Sequence, residues 1–81
     1  NEIVEPEVLL DRAYEWAARI CANAPLAVQA TKESVLRGMS TTLAEAYQIE
    51  QELSTKIFAT EDAKEGPKAF AEKRPPRWQG R

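Results

Sequence analysis

The residues of this chain that could do chemistry fall into a few groups. Five cations, Lys68, Lys73, Arg74, Arg77 and Arg81, crowd into the last sixteen positions, with Phe70 and Trp78 interleaved among them. Ammonium and guanidinium groups are the usual partners of phosphate and carboxylate oxygens, so this segment either meets such oxygens or is a solvated basic end. Two acid pairs stand apart, Glu50 with Glu52 and Glu61 with Asp62. Acid/base catalysis needs carboxyls desolvated in a cleft with shifted pKa values. The first pair flanks a helical stripe on an exposed face and the second falls in a first helical turn, so both read as structural. Cys21 is alone, and the chain has no histidine. An internal disulfide, most zinc or iron sites and histidine-based catalysis are thereby excluded, and Cys21 reads as core rather than nucleophile. No phosphate loop, metal-ligand spacing or serine elbow is present. Taken by itself, the chain carries no catalytic and no metal site.

Length and charge bound what can position these groups. The chain has 81 residues, 11 basic and 13 acidic, for a net charge of −2. That permits one domain at most. Thirteen of the apolar residues are alanines, so the core is thin, and a domain this small hides only about 60% of its unfolded surface. Charge is uneven: positions 1–65 hold 12 acids and 6 bases, and positions 66–81 hold 5 bases and 1 acid. A nucleic-acid partner does not fit, because no base-stacking motif accompanies the cations and the acidic whole repels a polyanion. No apolar run approaches the ~20 residues of a membrane helix and no leader pattern opens the chain, so the expectation is a soluble, cytoplasmic protein without a membrane partner. Asn1-Glu2-Ile3-Val4 reads like the end of a strand or connection, which is the expectation for a piece of a longer protein.

The periodicity is helical throughout, and the expected class is all-α, with three to four short amphipathic helices. Pro6 opens a first helix to about Asn23, with Leu9, Ala13, Trp16, Ala17 and Ile20 on one stripe. Trp16 reads as ordinary core there, and Tyr14 and Tyr47 as half-buried rings at stripe edges. Pro25 stops that helix and opens a second to about Arg37, ended by Gly38. Thr42-Leu43-Ala44-Glu45 has the form of a capping box for a third helix to about Phe58. Thr60, followed by Glu61 and Asp62, caps a fourth, which Gly66-Pro67 should weaken or kink. Pro75-Pro76 ends regular structure and leaves Arg77 to Arg81 as a tail. No internal repeat is found.

Two segments carry a resemblance. Asn23-Ala24-Pro25-Leu26-Ala27-Val28-Gln29-Ala30-Thr31-Lys32 and Thr60-Glu61-Asp62-Ala63-Lys64-Glu65-Gly66-Pro67-Lys68-Ala69-Phe70-Ala71-Glu72-Lys73-Arg74 are similar, in order and spacing, to C-terminal segments of the enoyl-CoA hydratase/isomerase (crotonase) superfamily. The similarity spans essentially the whole chain. It implies a crotonase-like C-terminal helical domain over 1–74, with a basic tail over 75–81, lacking the ββα spiral core that holds the catalytic carboxylates. It implies a parent that processes acyl-CoA, foremost a 2-enoyl-CoA hydratase, in which these helices form a lid and oligomerisation domain. The implied partners are the parent's own catalytic core and neighbouring subunits, in a trimer or dimer of trimers. Acyl-CoA would be the parent's substrate, with no cofactor in this chain.

The resemblance also assigns two site residues. Phe70 would lie near the acyl or pantetheine end of a neighbouring subunit's ligand, and Lys73 near its phosphate or adenine end; their i, i+3 spacing puts them on one helix face. Pro67 departs from the family pattern and bears on how that helix aims them. The alternative is an independent helical interaction module unrelated to CoA. The sequence ahead of Asn1 separates the two, by a Gly-rich core or an initiating methionine.

Overall fold

Short polar and proline signals divide the chain into helices almost where the sequence puts them. A computed structural model describes all 81 residues and is entirely helical. Pro6 begins a three-residue 3-10 turn, Pro6–Val8, which leads into α1, Leu9–Cys21. Pro25 is the first residue of α2, Pro25–Gly38, where its missing N–H costs nothing because no carbonyl precedes it in the helix. Helix α3, Leu43–Phe58, opens on a complete capping box: Glu45 N–H donates to the Thr42 hydroxyl, and Thr42 N–H donates to the Glu45 carboxylate at 2.9 Å. Helix α4, Glu61–Ala71, is capped by Thr60, whose hydroxyl accepts from Ala63 N–H at 3.2 Å.

At Pro67, where the sequence leads one to expect a weakened or kinked helix, the helical span is not interrupted. Helix α4 continues through it to Ala71. Proline disfavours the α conformation of the preceding residue through clashes with its N–H and Cβ, and Gly66 has no Cβ, which removes one of them. The lost hydrogen bond and the crowding of the Ala63 carbonyl remain, in a helix capped by Thr60 at one end and closed by the Lys73 turn at the other.

Helices α2 and α3 are the pair that pack along their length. Gly38 permits a close approach at their turn, since a Cβ there would stand 3.4 Å from that of Ala46. Ala27 and Ile57 line one groove at the far end of the pair, so the two helices form an antiparallel hairpin. Arg37 joins them, donating to Glu33 on its own helix and to Glu52 on α3 at 3.3 Å.

Elsewhere the molecule is open. Its radius of gyration is 15.9 Å and its extents are 42 × 40 × 18 Å, whereas a compact chain of this length would have a radius near 12 Å, a value of about 2.2 times length to the 0.38 power. Only Leu53, Asp62 and Ala69 are buried. This corrects two expectations. Trp16 is 37% exposed and Cys21 is exposed, because no second layer covers the stripe of α1.

Candidate functional site

The carboxyl end of the chain holds the most built arrangement of polar groups. Asp62 sits in the first turn of α4 with 4% of its surface exposed. Its two oxygens accept from the backbone N–H groups of Gln79 at 2.7 Å and Gly80 at 2.9 Å, and its own N–H donates to the Arg81 carbonyl at 3.1 Å. One helical turn further along, Glu65 accepts both arms of the Arg74 guanidinium, at 2.6 and 3.0 Å, and the Arg77 N–H at 2.7 Å. Those cationic and amide donors hold the Glu65 carboxyl well below the usual range, at about 2. Two acids at i and i+3 thus receive the returning chain, which runs back along α4 from its last turn to its first.

The same strap reaches two other helices. Trp78 donates its indole N–H to the Ala22 carbonyl at the end of α1, at 2.8 Å. Its ring lies against Gly66, where an added Cβ would meet it at 3.4 Å. Gly80 has a φ of +69°, a left-handed conformation natural to glycine, and a Cβ there would meet the Pro25 ring at 3.5 Å. The end of the chain, expected to be either a solvated basic tail or a segment meeting acidic oxygens, is a strap docked on the chain's own acids. Of the five cations grouped by sequence, Arg74 is already satisfied by Glu65 and Glu72, so the carboxylate-rich surface it meets is the chain's own.

The two assigned site residues emerge from this framework. Phe70 lies near the end of α4 and is 87% exposed, an unusual position for so apolar a ring unless something covers it. Lys73 does not share a helix face with it, as the i, i+3 spacing led one to expect. The helix ends at Ala71, Glu72 caps it, and Lys73 takes a φ of +53°. The Lys73 N–H donates to the Phe70 carbonyl at 3.2 Å and the Arg74 N–H to the Ala69 carbonyl at 3.0 Å. This is a Schellman motif with lysine at the position glycine usually takes. The two residues are linked through the backbone of one tight turn, in which a side chain at left-handed φ is held at a cost of about 1–2 kcal/mol.

Glu50 and Glu52 lie on an exposed face, as expected, and Asp62 does not. Glu52 accepts from Lys56 at 2.6 Å and from Arg37, which lower its carboxyl pKa in that order. Asp62, grouped with Glu61 as a dipole-facing acid, has instead become the buried anchor of the strap. No spacing signal marks it, since its partners lie 17 and 18 residues away. A Trp and a Gly after a double proline were the only hint that the end of the chain docks. Sequence reasoning also missed the N-terminal arm: Glu2 accepts from the Trp16 indole and from Arg12, each at 2.9 Å or less, and these bonds lower its pKa. No group of three or more His, Cys, Asp or Glu side chains is placed to hold a metal. No helix is long and apolar enough to cross a membrane.

The enoyl-CoA hydratase/isomerase family model matches residues 1–81, the whole chain. The chain therefore belongs to the enoyl-CoA hydratase/isomerase family, and its architecture matches the C-terminal helical domain of the crotonase fold. Among curated relatives, it is 47% identical to the enoyl-CoA hydratase EchA19 of Mycobacterium tuberculosis, covering 100% of this chain and 30% of that protein. It is 42% identical to the carnitinyl-CoA dehydratase of Salmonella arizonae, covering 99% of this chain and 32% of that one. A crystal structure of an enoyl-CoA hydratase/isomerase from Mycobacterium paratuberculosis superposes with a TM-score of 0.92 at 48% identity, covering 99% of this chain and 32% of the other. The chain spans about a third of the length of the relatives it matches.

Proposed function

We propose that this chain is the lid and subunit-contact domain of an acyl-CoA-processing enzyme, foremost a cytoplasmic 2-enoyl-CoA hydratase. Its α1–α3 surface covers the parent's catalytic core and neighbouring subunits of a trimer or dimer of trimers. Phe70 and Lys73 complete the acyl-CoA site of an adjacent subunit, Phe70 toward the acyl or pantetheine part and Lys73 toward the nucleotide phosphate. The chain's own residues bind and orient; the enolate-stabilising groups belong to the core.

The observation that carries this reading is uncovered apolar surface. The chain exposes 6886 Å², where a compact protein of its mass exposes about 4,900 Å². The excess, about 2,000 Å², is of the order that obligate subunit interfaces bury. Leu9, Leu10, Trp16, Ile20 and Leu36 contribute to it, and such a face does not remain open in a working protein.

Lys73→Ala in the intact enzyme tests the site assignment. Loss of a charge-assisted contact removes about 1.5–3 kcal/mol, or about one to two decades in affinity. KM for crotonyl-CoA should rise by that order while kcat holds, and the rise should vanish with a pantetheine substrate lacking the nucleotide phosphate. Phe70→Ala should instead depend on acyl length. An unchanged KM, or equal effects on both substrates, overturns the phosphate role.

A further inference from the structure

Helix α4 makes only sparse contacts with the other helices, unlike the α2–α3 hairpin. Phe70 and Lys73 both stand at its carboxyl end, so something other than helix packing must fix where they point. The chain immediately after Lys73 supplies the hold. Arg74 forks onto Glu65 at 2.6 and 3.0 Å, and Arg77 N–H reaches the same carboxylate at 2.7 Å. The strap then continues to Asp62, to the Ala22 carbonyl through Trp78, and to the Pro25 ring beside Gly80. Glu65 is thus where the turn carrying Lys73 is tied back onto α4, while Trp78 and Gly80 join the strap to α1 and α2. The geometry that needs holding is specific: Lys73 has a left-handed φ of +53°, which a lysine does not keep unless its surroundings over-determine it. A planar guanidinium gripped at both arms by one carboxylate is fixed in direction as well as distance.

Resting on the reading that Phe70 and Lys73 face an acyl-CoA, we infer that Glu65 is a positioning residue: its carboxylate, by clamping Arg74 and the Arg77 amide, fixes the Lys73 turn against α4 and so aims Lys73 at the ligand. Glu65 touches no ligand itself. The Glu65 carboxyl, held at about 2, stays ionised at any ordinary assay pH and keeps the clamp closed.

A double-mutant cycle in the intact enzyme, with crotonyl-CoA and crotonyl-pantetheine as substrates, tests this. Glu65→Gln keeps the size of the side chain and a carbonyl for the Arg77 amide but loses the fork. It should raise KM for crotonyl-CoA about three- to tenfold, part of the Lys73 effect, with kcat unchanged and little change for the pantetheine substrate. Glu65→Gln combined with Lys73→Ala should be no worse than Lys73→Ala alone, because a residue that acts through Lys73 has nothing left to aim. Arg74→Lys, which keeps the charge and replaces the fork by a single point, should reproduce the Glu65→Gln pattern if that variant folds poorly. Additive effects, or a Glu65→Gln enzyme with wild-type KM beside an impaired Lys73→Ala enzyme, overturn the positioning role and leave the Lys73 assignment standing. If Lys73→Ala is itself silent, the site assignment falls first, and the positioning role falls with it whatever Glu65→Gln does.

Discussion

The two ends of this chain solve the problem of a thin core in opposite ways. Helix α1 presents Leu9, Leu10, Trp16 and Ile20 to the outside and gathers no partner helix. The carboxyl-terminal strap has few large apolar groups and is tied to the chain by polar ones: amides on Asp62 and Glu65, an indole on a carbonyl, a guanidinium on two carboxylates. Hydrogen bonds and ion pairs have direction and short reach, so the strap's partners must be inside this chain and already in place. Apolar burial has no direction and scales with area, so the α1 face can wait for a surface supplied by another domain or subunit. One end is self-contained and the other is unfinished.

The largest expected effect comes from breaking the unfinished end. Ile20→Asp in the intact protein would place a charge against whatever covers α1, at about 3–5 kcal/mol for an unpaired buried charge. It should abolish stable assembly by light scattering. In the 81-residue chain, where Ile20 is exposed, the same change should be nearly silent in circular dichroism and melting. An intact protein indifferent to Ile20→Asp would end the contrast between the two regions.

Asp62→Ala attacks the self-contained end and should therefore act without regard to partners. It strips two amide bonds from the strap and costs about 2–3 kcal/mol, the worth of hydrogen bonds to a charged acceptor. The shift of the urea midpoint should be alike in the 81-residue chain and the intact protein, and amide exchange should quicken at Gln79 and Gly80. A strap left protected in Asp62→Ala would place its hold elsewhere, on Trp78.

A pH titration sharpens the comparison with the smallest effect. The Glu65 carboxyl is held at about 2, with Arg74 the larger cause and the Arg77 amide the next. A group whose folded pKa is depressed stabilises the fold above its ordinary pKa, and that stability drains as pH falls toward the folded value. Stability contributed by the clamp should be level from neutral pH down to about 4.5 and then decline toward about 2, and Glu65→Gln should flatten that decline. Beside α1 the Glu2 carboxylate, lowered by the Trp16 indole and then by Arg12, should also weaken as pH falls, and Glu65→Gln should leave that part of the decline in place.

Much of the fold was legible because its signals are local. The prolines at 6 and 25, the Thr42–Glu45 box and the Thr60 cap act within one helical turn, and each marks a helix start to within a residue or two. Pro67 was expected to weaken or kink α4, and the helix spans it, helped by Gly66, which has no Cβ to meet the proline ring. The Phe70–Lys73 face misled because spacing assumes the helix continues, and a Schellman turn ended it between them.

What the sequence determined by itself was the set of helices, their caps, and the motif order that places the chain in its family. These rest on interactions between residues three or four apart, or on the presence of a residue type at all. Tertiary structure alone decided that Asp62 is a buried anchor, that Glu65 grips Arg74 nine residues away, that Trp78 reaches Ala22 across 56 residues, and that Trp16 and Cys21 stay exposed. Contacts between distant residues leave no period in a sequence, and whether an apolar stripe is covered depends on a second surface that the stripe itself does not encode.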